Sequence, residues 1–150
     1  MRKPVKKPKV LLPPRRLVSA DECSALLLPS FADDGRLASA LDKYEIPIFI
    51  VEPLDSPSWT NEKLIEVLSD QYIRQVIVFG DLSDPELVAT CLLSIQSGYD
   101  VFAIISHPDL RNPNNLLSWM RLRDYSVKTL SIKLLLAELA LVATAPVAAE

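Results

Sequence analysis

Glycine, cysteine and histidine are scarce in this 150-residue chain, with three, two and one copies respectively. Gly35, Gly80 and Gly98 are too far apart to form a GxGxxG fingerprint or a P-loop, so we expect no dinucleotide and no other cofactor. Cys23 and Cys91 belong to no CxxC or Cys/His cluster. Their spacing excludes a disulfide framework and a zinc site, and we expect no metal.

The chain also lacks an uninterrupted apolar run of the length that a membrane span needs. Leu134–Ala149 is the most apolar stretch, but Glu138 interrupts it and Pro146 breaks it, short of the ~20 residues required. No apolar segment near the start resembles a secretory signal, and the prolines there do not suit an amphipathic presequence. We expect no membrane partner and a cytoplasmic location, with the mitochondrial matrix less favoured.

Acidic residues are missing from the first sixteen positions, which hold seven basic ones. These are Arg2, Lys3, Lys6, Lys7, Lys9, Arg15 and Arg16. The remaining residues hold nine basic and nineteen acidic side chains, a net charge of −10. We interpret residues 1–20 as a flexible, proline-rich basic tail and residues 21–150 as one folded domain. The tail either solubilises the chain, folds back on the acidic body, or contacts nucleic acid or an acidic protein surface.

Short apolar runs alternate with amphipathic stretches after residue 20, in a pattern typical of an α/β fold. The predicted strands are Ser24–Leu28, Ile46–Val51, Gln75–Phe79, Val101–Ile105 and Tyr125–Leu130. The predicted helices begin near Asp33, Thr60, Asp84, Asn112 and Ser131. Continuous apolar strands indicate a parallel sheet buried on both faces. The sequence therefore predicts a three-layer αβα domain with a five-stranded parallel sheet.

The stretch Gln75–Ile105 has a distinctive order: an apolar strand ending in Gly80, a loop, a helix carrying Thr90, and then Gly98 and Tyr99. This order resembles the isochorismatase-like cysteine hydrolases, and about 125 residues fit the family's order of elements. The resemblance implies an isochorismatase-like fold and the dimers or tetramers that its members usually form. The segment between the second strand and the next helix has no room for the family's third strand. The expected order is therefore 2-1-3-4-5, which is Rossmann-like and flavodoxin-like.

The family's catalytic Asp, Lys and Cys are all missing from the matching positions. Ser30 stands where the Asp belongs, Glu86 stands where the Cys belongs, and Val51–Thr60 contains no lysine. A thiol with an ordinary pKa needs such neighbours to ionise at neutral pH. The resemblance therefore implies a degenerate, hydrolase-like pseudoenzyme, and Glu86 is interpreted as an acidic residue that suits the start of a helix.

Four other residues are candidates for a pocket at the carboxyl ends of the strands: Asp81, Ser83, Cys91 and His107. We interpret Cys91 as a buried structural thiol, since it lies on an apolar helical stretch. His107 is interpreted first as a loop residue before Pro108, although ligands bind at this end of such sheets.

Three functional hypotheses follow. The first is a non-catalytic domain acting through binding or oligomeric assembly. The second is a small cysteine hydrolase whose nucleophile has moved to Cys91 or Glu86. The third is a subunit of a larger assembly that uses the basic tail to hold nucleic acid or an acidic surface.

The last predicted helix provides the interface in the first hypothesis. It has one stripe that can face the sheet, and Leu134 and Leu141 lie off that stripe, two turns apart. The stripe consists of Ile132, Leu135, Leu136, Leu139 and Val142. Exposed leucines are an aggregation liability unless something covers them. We therefore expect a homo-oligomer or a protein partner bound through this helix; the alternative is that a neighbouring helix of the same domain covers the two leucines.

Overall fold

A computed structural model describes residues 17–31, 36–50, 73–106 and 108–144, and within them five strands form one sheet. The strands are β1 (Cys23–Leu27), β2 (Ile48–Ile50), β3 (Gln75–Gly80), β4 (Asp100–Ile105) and β5 (Lys128–Leu130). All four neighbouring pairs are parallel. The sheet order is β2-β1-β3-β4-β5, which confirms the order expected from the sequence.

Helices cover both faces of this sheet. They are α1 (Arg36–Lys43), α2 (Pro85–Gln96), α3 (Pro113–Asp124) and α4 (Ile132–Thr144), and a short 3-10 turn, Ala20–Glu22, precedes β1. Side chains of α2 and α3 pack in one apolar cluster, and side chains of α1 and α4 pack in the other. The described residues therefore form the predicted three-layer αβα domain.

The central strand β3 shows why the strands read as continuous apolar runs. All six of its residues are buried. Val76 and Val78 point into the α2/α3 cluster, whereas Ile77 and Phe79 point into the α1/α4 cluster. A strand covered on both faces has no solvent side, so the alternation typical of half-exposed strands is absent.

Three helices begin where the sequence predicts their starts, and a side chain caps each of them. The Asp84 carboxylate accepts a hydrogen bond from the Glu86 amide at 2.9 Å. The Asn112 side chain accepts from two amides of its own first turn, at 2.9 and 3.4 Å. The Ser131 hydroxyl oxygen accepts from the Leu134 amide at 3.2 Å. Each cap satisfies amides that the helix itself leaves without acceptors.

Several predicted boundaries were wrong. The fifth strand begins at Lys128 rather than Tyr125, because Tyr125 and Ser126 form a turn in which Ser126 has a φ of 64°. The second strand begins at Ile48 rather than Ile46, whose amide instead donates to a carbonyl of α1. The helix predicted from Thr60 lies outside the described residues.

The predicted domain boundary at residue 20 falls too late. Val18 is fully buried in the α1/α4 cluster. The Gln75 side chain donates to the Leu17 carbonyl at 2.9 Å and accepts from the Ser19 amide at 2.7 Å. The Glu138 carboxylate on α4 accepts from the Val18 amide at 3.2 Å. Residues 17–20 therefore belong to the folded domain, and the seven basic residues of the tail lie outside the described residues.

Candidate functional site

The loops after β1 and β3 meet at the carboxyl edge of the sheet. The Ser30 hydroxyl oxygen accepts a hydrogen bond from the Asp81 amide at 3.2 Å. The Ser83 hydroxyl in turn donates to the Asp81 carboxylate at 3.1 Å. Ser30, Asp81 and Ser83, all named from the sequence, are thus brought together. The strand order reverses between β1 and β3, which is where α/β sheets of this type bind ligands.

Glu86 borders this edge from the first turn of α2. Its backbone amide donates to the Asp84 cap, and Pro85 occupies the first helical position. An acidic side chain is favoured there, because the amino end of a helix carries partial positive charge. The geometry agrees with the structural role predicted for Glu86.

Gly80 sets how closely the edge can pack. A Cβ atom built on Gly80 would lie 3.1 Å from a methyl carbon of Leu28 and 3.1 Å from one of Leu87. The end of β3 is therefore in tight contact with both the β1 loop and α2. Glycine at this position allows that close approach.

Neither cysteine reaches the carboxyl edge. Cys91 is fully buried in the α2/α3 cluster, and burial raises its thiol pKa far above the ordinary value. Cys23 is the first residue of β1, at the opposite edge of the sheet. Burial, and then the charges of Glu22 and Asp21, raise its pKa to about 12. Because the thiolate is the nucleophile, burial and the raised pKa disfavour nucleophilic attack by either thiol at neutral pH. Cys91 is thus buried, as expected from its apolar helical stretch, and its assignment to a pocket stays a prediction.

The end of β4 holds two buried polar atoms that sequence reasoning missed. The Ser106 hydroxyl oxygen and the Asn115 side-chain carbonyl oxygen have no hydrogen-bond partner among the described residues. The Asn115 amide group donates to the Asp109 carbonyl at 3.1 Å. No motif marked either residue, since burial of an asparagine in a first helical turn depends on the loop that packs over it. His107, the other pocket candidate, lies outside the described residues.

A cavity of about 190 Å³ lies further along the same edge, between the ends of β4 and β5. It was not predicted. Its lining residues are Ile105, Pro108, Trp119, Thr129, Leu130 and Ser131. The indole nitrogen of Trp119 donates to the Thr129 hydroxyl oxygen at 3.3 Å. Sequence spacing places Trp119 on α3 but does not say that its ring faces β5.

No three or more His, Cys, Asp or Glu side chains within the four described ranges come together in a group that could hold a metal ion. In the same ranges, no helix has the length and apolarity to cross a bilayer.

Comparison with solved structures identifies the architecture, whereas no protein-family model and no curated protein matches the chain. The fold matches that of YcaC. YcaC from Pseudomonas aeruginosa, with hexane-2,5-diol and covalent acrylamide, has a TM-score of 0.61 at 15% identity, covering 83% of each chain. YcaC from Escherichia coli, described as an octameric hydrolase of unknown specificity, has a TM-score of 0.62 at 15% identity, covering 90% of this chain and 84% of the other. This chain therefore shares its αβα architecture with YcaC, and the likeness is one of fold alone.

Proposed function

We propose that this chain is a non-catalytic isochorismatase-like domain that acts by assembling with a second copy of itself. The location of the two thiols is the observation that supports the absence of cysteine hydrolase activity. Cys91 lies in the core and Cys23 at the amino edge, both with raised pKa values. The position that the resemblance assigns to the nucleophile holds Glu86 instead.

The rest of the edge supports the same proposal. Ser30 stands where the resemblance requires an aspartate, and its hydroxyl oxygen accepts from the Asp81 amide. A serine cannot serve as the carboxylate base that activates a thiol. The alternative of a nucleophile moved to Cys91 would require that side chain to leave the core, and its burial argues against that.

The outer face of α4 supports assembly. Leu135 and Leu139 are buried against the sheet, while Leu134 and Leu141 are 53% and 58% exposed. The described exposed side chains of this helix are Lys133, Leu134, Ala137, Ala140, Leu141 and Ala143. A single charge among six outward side chains is unusual for a helix that faces water, and apolar patches of this kind mark contact surfaces.

A second copy of the chain is the partner that fits this face. Leu134 and Leu141 lie two turns apart with Ala137 between them, so the ridge is low in the middle. Two such ridges related by a twofold axis can pack antiparallel, with Leu134 of one subunit against Leu141 of the partner subunit. The octameric description of the Escherichia coli neighbour supports self-association.

Sedimentation velocity of three proteins tests this assembly. The first is the wild type, and the second carries Leu134→Glu with Leu141→Glu. The third is a control with the same charge change on α3, Leu116→Glu with Leu117→Glu, at positions that are 37% and 64% exposed. We expect the wild type and the control to form oligomers and the α4 variant to be a folded monomer, because carboxylates are costly to bury in an apolar contact.

Two results would overturn the assembly proposal. One is a wild type that stays monomeric at high concentration. The other is an α4 variant, folded by circular dichroism, that keeps the wild-type oligomeric state. If only the α3 control variant were monomeric, the interface would lie on the opposite helical layer, and this result would also contradict an interface through α4.

The basic tail supports a second, additional role in holding an anionic polymer. Its seven cations precede Leu17, which Gln75 holds at the amino edge of the sheet. Ser30 and Asp81 lie at the carboxyl edge of the sheet, so a polymer bound at the amino edge would leave them uncovered. Fluorescence anisotropy with single-stranded RNA tests this role. We expect binding that weakens steeply with salt and is lost on deletion of residues 2–16, and the absence of binding at low salt would refute it.

A further inference from the structure

The cavity between the ends of β4 and β5 has a preformed wall. The ring of Trp119 is held from two sides: its indole nitrogen donates to Thr129 at 3.3 Å, and the Arg123 guanidinium lies over the ring, 5.0 Å from its centroid. A side chain fixed by a hydrogen bond and a cation–π contact loses little further freedom when a ligand packs on it. Ile105 is buried and Leu130 half-buried, and both add aliphatic surface.

The cavity is open to solvent, and its described lining carries no charge. Pro108 and Ser131 are exposed, so a molecule can reach it from outside. None of the described residues that line it is ionisable. Burying an ion without a partner is costly, so this lining favours an uncharged ligand.

Two hydroxyl groups give the cavity a polar preference. The Thr129 oxygen accepts from Trp119, and the Ser131 oxygen accepts from the Leu134 amide at 3.2 Å. Neither hydroxyl hydrogen is donated to a protein acceptor within the described residues. A hydroxyl group is both donor and acceptor, so each of these two has a donor to offer a ligand.

We propose that this cavity binds a small uncharged molecule with one ring and one hydrogen-bond acceptor, such as an aryl ketone. The volume supports the size: an apolar protein cavity of about 150 Å³ holds benzene, and this one measures about 190 Å³. The Trp119 ring and the aliphatic wall would contact the ligand ring, and the Thr129 hydroxyl would donate to its acceptor. The cavity is separate from the contact between Ser30 and Asp81, and ligand binding there does not depend on the assembly of subunits.

Three probes of matched shape test the proposal: acetophenone, ethylbenzene and benzoate. Trp119 fluorescence in a Trp59→Phe background reports binding, since the chain has two tryptophans. Methyl NMR shifts of Ile105 and Leu130 localise it. We expect acetophenone to bind saturably at one site, ethylbenzene about fivefold to tenfold more weakly for want of a neutral hydrogen bond, and benzoate not to bind.

Two substitutions at Thr129 separate shape from hydrogen bonding. Thr129→Val keeps the side-chain shape and removes the hydroxyl, so acetophenone should fall to the affinity of ethylbenzene. Thr129→Ser should restore the difference. The absence of saturable acetophenone binding in the folded protein would overturn the site, and equal affinity for all three probes would overturn the ligand class.

Discussion

The hydroxyl oxygen of Ser30 lies 3.2 Å from the backbone nitrogen of Asp81 and joins the loops that follow β1 and β3. These two loops flank the point where the strand order reverses. The Ser30 side chain has a structural task, because it satisfies a part-buried amide at the end of a central strand.

Ser30→Ala should lower the free energy of unfolding by about 0.5–1.5 kcal/mol, the net contribution of one neutral hydrogen bond. Urea denaturation measures it. Ser83→Ala is the matched control, because the Ser83–Asp81 bond is exposed to solvent and its loss should change stability by less than about 0.5 kcal/mol. Equal effects of the two substitutions would show that the Ser30 bond does not join the loops energetically.

Two amino-terminal deletions should differ sharply. Removing residues 2–16 should leave the thermal midpoint within about two degrees, since these residues have no apolar periodicity. Extending the deletion through Ser19 removes the buried Val18, worth about 1.5–3 kcal/mol, and leaves the buried Gln75 amide without its two partners. Losses of this size should lower the thermal midpoint by about ten degrees or more. A large drop from the shorter deletion would mean that the tail itself packs on the domain.

The sequence predicted the structural features that depend on residues close together in the chain. The starts of three helices, at Asp84, Asn112 and Ser131, depend on neighbours within one helical turn, and all three were predicted. The continuous apolar runs predicted a parallel sheet, because a strand that is buried on both faces has apolar side chains at consecutive positions. The sheet order came from the family resemblance and from the short segment after β2.

Contacts between distant residues could not be predicted. The Gln75 side chain binds Ser19 across 56 positions, and nothing in a single glutamine reveals that its amide will hold the segment that precedes β1. Trp119 read as one more apolar helical residue, whereas its hydrogen bond to Thr129 makes it a cavity wall. The predicted start of β5 was also wrong, because the chain turns at a single residue, Ser126, which has a positive φ.

Stability should fall as the pH rises above about 9. The Cys23 thiol has a pKa raised from its ordinary value of 9.0 to about 12 in the fold, and burial raises that of Cys91 as well. Between the unfolded and folded pKa values the unfolded chain binds fewer protons, so the free energy of unfolding decreases by up to about 1.4 kcal/mol per pH unit for each thiol. Urea denaturation at pH 8 and pH 10 measures the change.

The control for this pH dependence is Cys23→Ala with Cys91→Ala. The variant keeps every other ionisable group, so the difference between the two proteins isolates the thiols. The variant should lose less stability than the wild type over that interval. Identical pH profiles would show that the thiols ionise as readily in the folded protein as in the unfolded chain.

Intact-mass spectrometry after treatment with acrylamide tests the central claim most directly, because one structural neighbour carries covalent acrylamide. The native protein should gain no adduct at neutral pH, and the urea-unfolded protein should gain two, one at each cysteine. Glu86→Cys should gain one while folded, since a thiol at a helix amino end ionises more easily. An adduct on Cys23 or Cys91 of the native wild type, formed as fast as that on the Glu86→Cys variant, would contradict the account.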